Sequence, residues 1–145
     1  MKLWNSIPRD KHIKLQTVCF KHDTNDAILG GIQLKFTHGV ESPLFATAKA
    51  CNKELKSAHL DTSKKITQVA MYLNSSNSIY RMRMLDKNGL KLIDIVFNSY
   101  QHKDCLWTVK DIPDEQEIIG LYCNTSNNPY YIQSLGFILW TPPTN

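Results

Sequence analysis

Residues 28–36 most constrain what this chain can become. Ile28, Gly30, Ile32, Leu34 and Phe36 fall on one side of an extended backbone, and Gln33 and Lys35 fall on the other. A repeat of two in hydropathy is the mark of a strand with one face buried. The same alternation returns along the chain. In residues 79–85, Tyr80, Met82 and Met84 oppose Arg81 and Arg83. In the closing stretch, residues 116–140, Ile118, Ile119, Leu121 and Cys123 form one arm and Ile132, Leu135, Phe137 and Leu139 the other. No segment long enough for a stable helix carries a helical apolar stripe.

Turn chemistry separates these segments. Asp23 to Asp26, Thr37-His38-Gly39, Asn74 to Ser78 and Asp86-Lys87-Asn88-Gly89 are rich in residues that bond their own backbone or tolerate positive φ. The pair Asn88-Gly89 is a strong hairpin signal. Between Cys123 and Ile132, Asn124 to Asn128 and Pro129 are expected to form a loop that Tyr130 and Tyr131 flank. Further strands are expected at 13–22, 55–60, 66–73, 90–97 and 105–109, with residues 41–50 as edge strand or loop because of Pro43. Residues 1–11 are expected to be an irregular arm whose Trp4 packs onto the domain body. About ten to twelve short strands at this spacing imply an all-β sandwich, barrel or prism. A loose threefold rhythm runs through the hairpins near 23–26, 86–89 and 124–129.

A chain of 145 residues fits one domain and can bury a core without staples. Its net charge of +4 is modest, and Lys53, Lys56, Lys64 and Lys65 are interspersed with Glu54 and Asp61, which suits a solvated face. No nucleic-acid motif is present, and no apolar run approaches a membrane span. The first residues lack the apolar stretch of a signal peptide, so an intracellular, cytoplasmic setting is expected. The four cysteines have no CxxC spacing, and Cys19, Cys105 and Cys123 sit in apolar strand contexts, as buried free thiols do. The five histidines lack ligand spacing, and no catalytic motif occurs. No enzyme activity, cofactor or metal is expected.

Three segments in order resemble the jacalin-related lectins. They are HIKLQTVCFKHDTNDAILGGIQLKFTHG, KKITQVAMYLNSSNSIYRMRMLDKNG and QEIIGLYCNTSNNPYYIQSLGFIL. They are similar to the family's opening, central and closing patterns of spaced isoleucine, valine and glycine. The resemblance covers residues 12–141, with 142–145 as a tail, and implies a single β-prism domain of three antiparallel sheets. It also implies non-catalytic sugar binding where an N-terminal glycine-rich loop meets the last hairpin loop. There the family uses a glycine at the loop's start and an aspartate near its end. Gln133 stands at the aspartate's position, Cys123 or Asn124 at the glycine's, and the N-terminal glycines are absent. The residues expected to contact a ligand are Asn124, Asn127, Asn128, Tyr130, Tyr131 and Gln133. A neutral amide in place of a carboxylate weakens sugar contacts. The sequence therefore favours a protein-docking subunit of a larger assembly, with glycan binding as the alternative. Nothing in it sets the oligomeric state.

Overall fold

The computed structural model describes residues 1–6, 13–22, 28–97, 105–125 and 131–142. Eleven strands make up the described chain: β1 (Lys2–Asn5), β2 (Leu15–His22), β3 (Leu29–Phe36), β4 (Phe45–Ala46), β5 (Lys56–His59), β6 (Gln68–Leu73), β7 (Ile79–Leu85), β8 (Lys91–Val96), β9 (Leu106–Asp111), β10 (Glu117–Thr125) and β11 (Ile132–Trp140). The helical content of the described chain is a short 3-10 turn at Thr37–Gly39.

The strands form three antiparallel sheets. Sheet I has the order β1-β10-β11, sheet II β4-β3-β2-β5, and sheet III β8-β7-β6-β9. Sheets II and III are each a Greek key: a hairpin, a third strand beside its second arm, and a fourth that returns beside its first. The sheets turn one face inward on a common core, giving the expected β-prism. Val18, Ile32 and Leu34 of sheet II, Met82 and Met84 of sheet III, and Leu121, Cys123 and Ile132 of sheet I have no exposed surface. The alternation at 79–85 holds, since Tyr80, Met82 and Met84 are buried while Arg81 and Arg83 are half-buried on the outer face.

Sheet II is covered on both sides. Residues after β4 fold back over its outer face, with Thr47 N–H donating to the Gly30 carbonyl at 2.9 Å and Ala50 buried at 1% exposure. A Cβ at Gly30 would stand 2.7 Å from that of Ala50, so the close approach demands glycine.

Two sequence expectations are corrected. Residues 1–11 were expected to be irregular, yet Lys2–Asn5 is a strand, paired from Lys2 with Cys123 to Asn5 with Gly120. Four residues of mixed polarity carry little signal of their own; the edge of β10 supplies the ladder. Trp4 does pack inward, its ring 5.9 Å from that of Phe36. The threefold rhythm is real but its middle member was misplaced. The hairpin equivalent to β2–β3 and β10–β11 is β6–β7, joined by residues 74–78, whereas Asp86 to Gly89 joins a second strand to a third. Asn-Gly reports a tight turn and not its rank in the repeat.

Cys19, Cys105 and Cys123 are buried and Cys51 is exposed, all as free thiols. Burial pushes the Cys123 thiol up to about 11, because a thiolate there would lose its hydration. Iodoacetamide at pH 8 is therefore expected to modify Cys51 in the native protein and all four thiols after denaturation; native labelling of Cys123, read by peptide mass, would contradict its burial.

Candidate functional site

One end of the prism is built where β10 meets β11. Asn124 was expected in the loop, but β10 continues through Thr125, and Asn124 pairs with Gln133 and Thr125 with Ile132. The ladder slips between Tyr122 and Asn124, and on the facing strand Ser134 has φ 55. This bulge turns the start of β11 toward sheet III. Gly136 leaves room for the Tyr122 ring, which lies where a Cβ would stand.

The turned segment seizes the loop joining β6 to β7. Gln133 Nε2 donates to the Ser76 carbonyl at 2.9 Å, and Gln133 forms an isolated bridge with Ser78. Ser134 N–H donates to the Asn77 carbonyl at 3.4 Å. The loop is also braced from within: Asn74 Oδ1 accepts from the N–H groups of Ser76 and Ser78, each at 2.9 Å. Asn77 takes the left-handed conformation at φ 61, which asparagine tolerates. The buried hydroxyl of Ser78 finds no hydrogen-bond partner among the described residues.

Of the residues singled out in the sequence, Asn124, Tyr131 and Gln133 are described. Asn127, Asn128 and Tyr130 lie outside the described residues. Asn124, Tyr131 and Gln133 are all half-buried. Residues 74–78 were read as an ordinary loop and missed as part of this end. Their place follows from the threefold order of hairpins, which the turn residues alone do not reveal. Every side chain in this contact set is neutral. It can present amides and hydroxyls to a polar, uncharged ligand, each bond contributing about 1 kcal/mol. Gln133 is a strut as well as a candidate contact, since its amide nitrogen is already engaged.

Charge is concentrated elsewhere, on the outer face of sheet III. Arg81 grips Asp94 through two bonds, Nε to Oδ1 at 2.9 Å and Nη2 to Oδ2 at 2.7 Å. That grip holds the Asp94 carboxyl below its usual range and raises the Arg81 guanidinium. Arg83 lies 4.5 Å above the Trp107 ring, and Tyr72 packs 5.2 Å from the same ring. Arg83 and Lys91 also approach Asp94, at 3.4 and 3.6 Å, so three cations share one carboxylate on this face. Lys64 and Lys65 line a polar basin with Lys87, Asp86 and Asp114, in keeping with a solvated face. Among the described residues no three His, Cys, Asp or Glu side chains gather to hold a metal, and no helix is long and apolar enough to cross a membrane.

Protein-family models and curated protein sequences give no match to this chain. Solved structures do. Jacalin in complex with mellibiose (Gal-alpha(1-6)-Glc) matches with a TM-score of 0.59 at 12% identity, over 87% of this chain and 91% of that one. Calystegia sepium agglutinin matches with a TM-score of 0.61 at 10% identity, over 97% and 88%. The mannose-binding lectin from Champedak matches with a TM-score of 0.60 at 9% identity, over 97% and 94%. The chain has the jacalin-like β-prism fold. At such low identity the likeness establishes the fold, and function must be argued from the chain's own groups.

Proposed function

We propose that this protein is a non-catalytic module that binds a neutral glycan at the prism end formed by Asn124, Tyr131, Gln133 and the 74–78 loop. The protein-docking reading favoured by the sequence alone gives way here, because three solved neighbours are sugar-binding proteins or agglutinins by name. The observation that carries the proposal is the bracing of the 74–78 loop by Gln133. The 74–78 loop and the start of β11, held in fixed relation by amide and backbone bonds, present polar groups without first having to be ordered, which lowers the entropy cost of binding. A half-buried tyrosine beside them offers a flat apolar surface to a sugar ring.

Isothermal calorimetry with α-galactosides and α-mannosides tests this. The expected result is saturable binding with a dissociation constant of about 1 mM or tighter. Gln133→Ala is expected to weaken it several-fold and to lower stability by about 1 kcal/mol, because the Ser76 carbonyl loses its donor. Gln133→Asp also loses that donor and sets a carboxylate toward a carbonyl, so it loosens the loop instead of restoring a sugar clamp. Absence of heat with every sugar tested, on folded protein, would remove the glycan reading.

A further inference from the structure

Sheets II and III follow one plan, and sheet I departs from it at one position. In sheet II the third strand, β4, lies beside the second arm of its hairpin, β3, and the fourth, β5, beside the first arm, β2. Sheet III repeats this with β8 beside β7 and β9 beside β6. In sheet I the hairpin is β10–β11 and β1 occupies the fourth place, beside β10. The third place, along the outer edge of β11, holds no strand among the described residues.

The corner at that edge is open in the way this predicts. At the corner between sheets II and III, the fourth strand β5 lies against the third strand β8. The same rule brings β9, fourth in sheet III, against the vacant place. There a cleft of about 210 Å³ lies between Leu135, Phe137 and Leu139 of β11 and Thr108 and Lys110 of β9. In sheet III the third strand sends Ile93 and Ile95 into the core, each at 6% exposure. Phe137 and Leu139 have no such cover and stay partly buried. Leu106 of β9 is left 74% exposed. Asn77 and Ser78 occupy the edge of β11 only at Gln133 and Ser134. Residues 135–140 match in length the six residues of β8.

We propose that the outer edge of β11 and its cleft bind one extended strand of another polypeptide, running antiparallel to β11, with alternate apolar side chains entering the cleft and an acidic residue complementing Lys110. An unpaired strand edge is a template for main-chain hydrogen bonds, and alternate side chains then read the pockets beside it. Among the residues lining the cleft, Lys110 alone is charged, which selects an acidic partner. Directly after β11, Pro142 has no N–H to give a ladder. A second copy of this chain fits less well: its β11 would bring β10 along, placing two strands where the equivalent corner takes one.

The test uses the whole chain and a labelled peptide of residues 90–97, whose core is the third strand of sheet III, with Lys91→Glu so that by strand alternation the acidic residue shares the cleft-facing side with Ile93 and Ile95. Fluorescence anisotropy is expected to show saturable binding, and hydrogen exchange to show new protection at 135–140. Thr108→Trp, an exposed change on β9 that fills the cleft, is expected to weaken binding about tenfold with stability unchanged. Lys110→Glu is expected to weaken it several-fold, with recovery when the peptide's glutamate is returned to the native lysine. The proposal is overturned by equal binding of a scrambled peptide, by indifference to Thr108→Trp, or by no binding at about 1 mM peptide. It is equally overturned if the amides of 135–140 that face away from β10 are already slow to exchange in the free chain. A concentration-dependent dimer protected at those amides would assign the edge to a second copy instead.

Discussion

Gly120→Ala is expected to detach β1 from sheet I and to destabilise the protein by about 3 kcal/mol. A Cβ at this position would run into the Trp4 carbonyl and the Asn5 backbone, neither of which is the yielding end of a flexible side chain. The neighbouring strand must move away. With it goes the ladder from Lys2–Cys123 to Asn5–Gly120 and the contact of Trp4 with Phe36. For a domain of this size the melting temperature should fall by about 10 °C. Hydrogen exchange should show the loss of protection concentrated in residues 2–5. Gly89→Ala is the useful contrast: its φ of 79 strains an alanine, but nothing lies within contact distance. That substitution is expected to cost about 1 kcal/mol without detaching any strand. Equal costs at the two positions, with β1 still protected, would show that the clash at Gly120 relaxes locally.

Ile32→Ala is expected to cost about 3 kcal/mol, with a matching drop in the denaturant midpoint at unchanged slope. Ile32 is central in sheet II, without exposed surface, and belongs to the core shared by all three sheets. Removing its outer carbons leaves a cavity that three sheets held by their own ladders cannot easily close. The comparison is Val96→Ala on β8, where the side chain is 45% exposed and the change should stay within about 0.5 kcal/mol. If Ile32→Ala proved as mild as Val96→Ala, the core would be collapsing around the gap, and the prism would be less tightly packed than its burial indicates.

Much of the fold was legible because a strand's period of two is written directly in hydropathy. Ile32, Leu34 and Phe36 on β3, and Met82 and Met84 on β7, were placed inward by alternation alone, and all are buried. The cysteines followed the same logic. β1 was not legible, because four residues with Lys2 and Asn5 among them have no pattern of their own and take strand form from the edge of β10. The outer cover of sheet II was hidden too: Gly30 looked like one more place in an alternation, while its reason is Ala50 arriving from a later loop.

The candidate site divides the same way. Asn124, Tyr131 and Gln133 could be picked out because they neighbour a turn-rich stretch and match a family pattern. That Gln133 bonds Ser76, and that the 74–78 loop belongs to the same end, are matters of which hairpins lie side by side. By itself the sequence determined the strands, their buried faces and the all-β class, since each depends on residues a few positions apart. Only the tertiary structure decided that Gln133 braces a loop, that Gly120 admits β1, and that β11 keeps an open edge. Those features depend on backbone from distant parts of the chain meeting in space, and local hydropathy carries no record of such meetings.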